Sequence, residues 1–250
     1  MYICVECGKP VQYLFKECTS QNLRLASCPH CHQIADKYIE WETQMVLLDL
    51  ILNRAQAYRH ILANRSHAHD MSRQLLKFLT VIFAFEAFDR WYLNGNVHRP
   101  ESVERVVASP VGVFTQWLLP HSYQWTLLVV SVIETVLYIG VMFLGARLYV
   151  RSVWGKYNYN SVSLLSAIVL SCFSKLGVLL WMVWDAQNHH RLGIEFFTFL
   201  SNIVAIKVFI SPGEQTIFPA TLIVLASHLT RKGLAYLVSL IEPAIHFSIL

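Results

Sequence analysis

Two C-x2-C pairs within the first 31 residues, a charged fraction of only 14% over 250 residues, and apolar runs of 21 and 23 residues together predict a two-part architecture. It is a small zinc-ribbon-like N-terminal module plus an amphipathic helix, followed by an all-α transmembrane bundle of four or five spans. Ordinary globular domains carry about 25% charged residues, and a chain that is 55% hydrophobic and 13% aromatic has too much apolar surface to stay disordered. Along the chain, the expected division is a cysteine module over residues 1–36, the amphipathic helix over 37–66 and a polytopic membrane domain over 67–250.

The cysteine module rests on Cys4, Cys7, Cys28 and Cys31, two pairs separated by twenty residues. A two-residue gap lets both thiolates of a pair approach one ion while the backbone turns. Two such pairs complete a tetrahedral sulfur shell with no position open for a catalytic water, so one structural zinc per chain is expected. Gly8 follows the first pair, where a turn of this kind often needs a positive φ. Val11, Tyr13 and Phe15 alternate, as do Leu23 and Leu25, which fits a hairpin of two short strands with the cysteine pairs at its tips.

Cys28-Pro29-His30-Cys31 also has the spacing of a thiol-disulfide oxidoreductase site. That chemistry needs the first thiol at a helix N-terminus within a strand-helix-strand domain, and only a short hairpin precedes Cys28. His30 and His32 read as turn residues, Cys18 as a free loop thiol, and Cys172, inside an apolar run, as a small buried hydrophobe. Cys4, Glu6, Cys7 and Lys9 interrupt any apolar leader, so the module is expected to stay in the reducing cytosol, where disulfides are disfavoured.

The period then changes. Leu47, Leu50, Ile51, Tyr58, Ile61 and Leu62 recur at three and four residues, with Asp49, Asn53, Arg54, Gln56 and Arg59 between them, which predicts an amphipathic helix over 44–64. It either packs on the module or the bundle, or lies in the headgroup layer with Tyr58, Arg59 and His60 facing the lipid. The acids of Asp36-Lys37-Tyr38-Ile39-Glu40 are expected to cap and solvate its start.

Thr126–Ala146 and Val162–Trp184 are the firmest spans, each long enough to cross about 30 Å of hydrocarbon and each carrying one charge, Glu134 or Lys175. Leu75–Leu93 and Ile194–Ile210 hold their charges near the ends, where long side chains reach the interface. Arg231 and Lys232 divide the C-terminal apolar segment, which is either one interrupted span or a hairpin. Arg147, Arg151 and Lys156 between the two firm spans place that loop, like the head, in the cytosol.

A charge at mid-bilayer costs roughly 2.5 to 3.5 kcal/mol, so Glu134 and Lys175 are expected to meet, either as an ion pair that fixes the register of the spans or as the polar element of a lipid site. Glu86 and Arg90, four residues apart, read as a boundary pair with Trp91 and Tyr92 as interfacial anchors. Asp185, His189 and His190 read as a solvated loop. Residues 1–74 hold 8 Lys/Arg against 7 Asp/Glu and the remainder 12 against 9, so no basic arm points to nucleic acid.

These residues resemble a known family. The two C-x2-C pairs, Asp36-Lys37-Tyr38-Ile39-Glu40, Asp49, and Ala57-Tyr58-Arg59-His60-Ile61-Leu62-Ala63-Asn64 are similar to the homology domain of the Arv family over residues 3–64. The likeness continues more loosely through Glu86–Tyr92, Leu170–Lys175 and Ser201–Lys207, and the last forty residues carry no match. Cys18 and the Pro29-His30 filler depart from the family pattern. The resemblance implies a multi-pass endoplasmic-reticulum membrane protein of lipid homeostasis. Such a protein affects sterol distribution out of that membrane, sphingolipid metabolism and an early stage of glycosylphosphatidylinositol (GPI) anchor synthesis.

Three classes of function follow. The first is a lipid-handling protein whose partners are membrane lipids, sterol among them. The second is a non-catalytic scaffold for an endoplasmic-reticulum lipid-synthesising complex. The third is a lipid-modifying enzyme, for which the sequence offers no phosphate loop, nucleophile elbow or HExxH, so no catalytic residue is assigned. The oligomeric state is left open.

Overall fold

The fold is that of a computed structural model in which residues 2–19, 22–65, 68–97, 121–154, 161–177, 189–210 and 217–241 are described. The side chains of Cys18, Arg90, Trp91, Tyr92, His189 and His190 lie outside the described residues, as do Asp185, Lys156 and the final part of the run ending at Trp184.

Short antiparallel pairs build the head. Strand β1 (Tyr2–Ile3) pairs with β2 (Pro10–Val11), and β3 (Phe15–Thr19) pairs with β4 (Asn22–Leu25). A lone bridge joins Ser27 and Ile34. The hairpin expected from the alternation is present as β3–β4, with Phe15 opposite Leu25, but the cysteine pairs are not at its tips: each sits in its own closed turn outside it. The two turns repeat one geometry. Cys4 N–H donates to Lys9 O at 2.9 Å and Gly8 N–H to Cys4 O at 2.9 Å, while Cys28 N–H donates to Gln33 O at 2.7 Å and His32 N–H to Cys28 O at 3.0 Å.

The segment predicted as one amphipathic helix is broken. A 3-10 turn at Lys37–Ile39 leads into α1 (Thr43–Ile51), then α2 (Ala55–Arg59), which ends in a wide π turn at His60–Asn64. The break falls at Asn53, whose φ of 55° lies in the left-handed region that Asn tolerates better than most residues. The faces differ from the expectation too. Helix α1 buries Val46, Asp49 and Leu50 and leaves Leu47 and Ile51 exposed. Asp49 turns inward because Tyr38 Oη donates to it at 2.7 Å and Arg54 lies at 3.4 Å.

The body consists of α3 (Ala68–Val97), α4 (His121–Trp154), α5 (Ser161–Ser171, continued by a 3-10 turn to Leu176), α6 (His189–Ile210) and α7 (Phe218–Ile241). Tyr138 and Met142 of α4, Leu164 and Ile168 of α5, and Ile206 and Ile210 of α6 form its buried centre. Gly145 lets α4 and α7 approach closely: a Cβ there would fall 2.9 Å from Ile223 Cγ2.

Two helices among the described residues are long and apolar enough to cross a membrane, Leu128–Val153 and Leu192–Ile210, not the four or five expected. The helical part of the Val162–Trp184 run, Ser161–Leu176, is apolar but short. Helices α3 and α7 have the length, 30 and 24 residues, but carry charges along it. The C-terminal segment is one continuous helix, which settles the choice between an interrupted span and a hairpin.

Candidate functional site

The ligand atoms of Cys4, Cys7, Cys28 and Cys31 all lie within 4.8 Å of one another. Sulfur to sulfur, Cys4–Cys31 and Cys7–Cys28 are each 3.7 Å apart. A tetrahedral ion with metal–sulfur bonds near 2.3 Å needs sulfurs about 3.8 Å apart, which those two pairs meet, so the four thiols are grouped closely enough to hold one such ion. Left-handed residues close both turns, Gly8 at φ 75° and His32 at φ 59°, which makes His32 a turn residue. Cys28 Sγ also accepts from His30 N–H at 3.4 Å. Burial pushes the Cys4 thiol up to about 12. Burial acts the same way on Cys28, but the N–H groups of Cys31 and His30 outweigh it and hold that thiol down at about 7. Cys28 begins a turn and not a helix, which removes the setting that oxidoreductase chemistry requires.

The motif residues that follow fasten this module internally. Asp36 is fully buried and accepts from Tyr38 N–H (3.0 Å), His60 Nδ1 (2.8 Å) and Asn64 Nδ2 (2.6 Å), so it caps the 3-10 turn as expected but from inside the protein and not from solvent. Arg59 Nη1 donates to the carbonyls of Val5 and Glu6, on the first cysteine turn, at 2.7 and 2.9 Å. Asn64 bonds both backbone groups of Ile3, each at 2.9 Å. Tyr58 is fully buried, with its hydroxyl 2.7 Å from Ser201 Oγ on α6. The expected headgroup-facing set of Tyr58, Arg59 and His60 is thus corrected: all three face protein, because each finds its polar partner there.

From Ser201 a line of buried polar groups runs through the body. Ser171 bonds Asn202 Oδ1, Asn202 Nδ2 donates to Tyr138 Oη at 2.6 Å, and that hydroxyl meets His228 Nε2 at 2.8 Å. Ser174 Oγ donates to Thr198 Oγ1 at 2.8 Å. Beyond lies an ionic cluster. Lys175 Nζ donates to Glu86, Arg231 Nη2 donates to Glu86 Oε2 at 2.9 Å, and Arg231 Nε is 3.8 Å from Glu134 Oε2. The expected direct pair of Glu134 and Lys175 is corrected: Lys175 pairs with Glu86 and Glu134 with Arg231, and the Arg231–Glu86 bridge links the two into one cluster. Glu86 is 8% exposed, so the boundary-anchor role expected for it gives way to a core role.

A cavity of about 50 Å³ opens beside the cluster, lined by Glu86, Asp89, Lys175, Glu195, His228 and Arg231 among others. The two cations that line it, Lys175 and Arg231, both pair with Glu86, and Asp89 and Glu195 stand on the same wall. Nothing in the sequence reading placed Tyr138, His228, Asn202 or Arg231 in this region. The available signal was spacing, since Glu134 and Tyr138 lie four residues apart and His228 and Arg231 three apart, each pair on one helical face.

A four-cysteine head clamped onto a helical body with two membrane-length helices and a charged interior defines the class. The chain matches the Arv1-like family over residues 3–206, and it belongs to that family. It is 37% identical over 227 residues to the "Protein arv1 homolog" of Dictyostelium discoideum, covering 87% of each chain. It is 29% identical over 242 residues to "Protein arv1" of Schizosaccharomyces pombe (94% of this chain, 84% of the relative) and 26% identical over 225 residues to "Protein ARV1" of Homo sapiens (88% and 77%). No solved structure matches.

Proposed function

We propose that this protein is a non-catalytic mediator of lipid homeostasis in the endoplasmic-reticulum membrane, and that it takes part in the distribution of sterol out of that membrane. Effects on sphingolipid metabolism and GPI-anchor synthesis then follow from altered lipid supply. The observation that carries this reading is the small mixed-sign cavity that opens between the helices of the body. Its size admits a polar head and leaves the apolar remainder of a lipid outside, in the bilayer. Its near-balanced charges give no attraction to a net anion, whereas a hydroxyl donates and accepts, and bonds to Lys175, Arg231, Glu86 or Glu195 without upsetting that balance. Glu134 and Lys175 act here as members of the cluster that shapes the site.

In this reading one zinc ion on Cys4, Cys7, Cys28 and Cys31 holds the head rigid on the cytosolic side. The zinc is structural, since four thiolates fill its shell. Purified protein should accelerate exchange of labelled sterol between vesicles, and Lys175→Met should slow that exchange per mole of folded protein. The alternative is a scaffold of a lipid- or GPI-synthesising complex, which the same preparation would favour by co-purifying with a glycosyltransferase and exchanging no sterol alone.

A further inference from the structure

Helix α1 carries an outward face that is apolar and bears no exposed charge. Met45, Leu47, Leu48, Ile51 and Leu52 are 47 to 56% exposed. Between Thr43 and Asn53 the one ionisable residue is Asp49, which is buried and bonded to Tyr38. Charges stand only at the ends, with Glu40 and Glu42 before the helix and Arg54 after it. Ile39 and Trp41 extend the apolar surface at the N-terminal end, and Lys37 Nζ lies 5.5 Å from the centre of the Trp41 ring.

The opposite face of the same helix identifies what lies outside. Val46 and Leu50 belong to one apolar cluster with Ala167 of α5 and with Ala205 and Val208 of α6. Ala205 and Val208 are in the last two turns of α6, a helix of membrane-crossing length that ends at Ile210. The outward residues of α6 itself, such as Phe196 and Leu200, are apolar as well. The uncovered face of α1 therefore lies beside the C-terminal end of a helix long and apolar enough to cross a bilayer.

We propose that α1 is an in-plane membrane anchor. Its Met45–Leu52 face enters the leaflet into which the C-terminal end of α6 emerges, with Trp41 and Lys37 at headgroup level, as aromatic and long basic side chains favour. The cysteine head is then held to the bilayer at two points, through Tyr58 on α6 and through α1 beside it. This rests on the reading that the body crosses a bilayer.

The test places benzoylphenylalanine, a photocrosslinker, at one of three positions in the full chain, reconstituted in phosphatidylcholine vesicles with tritiated acyl chains. Leu48 samples the proposed anchor, Val136 on α4 samples the body, and Tyr13, exposed on the head, samples solvent. Retained metal reports that each variant folds. The expected result is tritium on the Leu48 and Val136 variants, at least fivefold above the Tyr13 variant. Label at Val136 with Leu48 no higher than Tyr13, or a Leu48 cross-link into protein alone, overturns the anchor while leaving the membrane body standing. Failure at both Leu48 and Val136 overturns the anchor and the membrane reading together.

Discussion

Each cysteine turn closes on a left-handed residue, and the two differ in what that residue is. Gly8 meets φ 75° without a Cβ, whereas His32 holds φ 59° with one. Gly8→Ala should cost about 1 to 2 kcal/mol, and His32→Gly should be neutral or gain up to about 1 kcal/mol, read as the chelator concentration that releases half the metal. Cys7→Ser and Cys28→Ser should each abolish the metal, measured by elemental analysis, and destabilise the head, because binding and folding of so small a module are coupled. Burial, then the bond to Asp49, raises the Tyr38 hydroxyl above its ordinary range. A raised folded value means stability is fully present below pH 10 and is lost as pH rises beyond it. The native head should therefore weaken more steeply above pH 10 than Tyr38→Phe does, in unfolding followed by circular dichroism. The clustering of the four cysteines was legible in the sequence because a two-residue gap fixes geometry locally. The partners of Asp36 were not, since His60 and Asn64 arrive from a turn more than twenty residues away.

At the scale of elements, α2 joins the head to α6 by one buried bond between Tyr58 and Ser201 within an apolar seam. Tyr58→Phe leaves Ser201 without that partner and should cost about 1 to 2 kcal/mol, visible as faster proteolysis of the head with the body unchanged. Period reading found a helical segment here but mistook its faces. A three-four period assigns apolar residues to the protein interior, and in this segment both sides are apolar. The inward side was decided instead by Asp49, a polar residue whose partner Tyr38 lies outside α1. The break at Asn53 was also hidden, because nothing in the periodicity falters there.

The whole molecule is organised by charges that its composition makes scarce. Sequence reading located two of them, Glu134 and Lys175, by their depth in apolar runs. It could not find their common partners, because only the packing of α3, α4, α5 and α7 brings Glu86 and Arg231 between them. The same packing explains why length alone overcounted the spans: α3 and α7 turn charges inward that a lipid-exposed helix would have to avoid. Glu86→Gln leaves Lys175 and Arg231 short of their shared carboxylate and should destabilise the body by about 3 to 5 kcal/mol, read as a lower melting temperature in detergent.

On the proposed function, the cavity beside this cluster takes the polar end of a sterol. The most direct measurement is irradiation of reconstituted protein with a diazirine-bearing sterol, followed by mapping of the labelled peptides by mass spectrometry. The account predicts adducts on the segments holding Glu86, Lys175 and Arg231, suppressed by excess unlabelled sterol. Adducts spread over the outer faces of α4 and α6 alone, or unaffected by competitor, would contradict it.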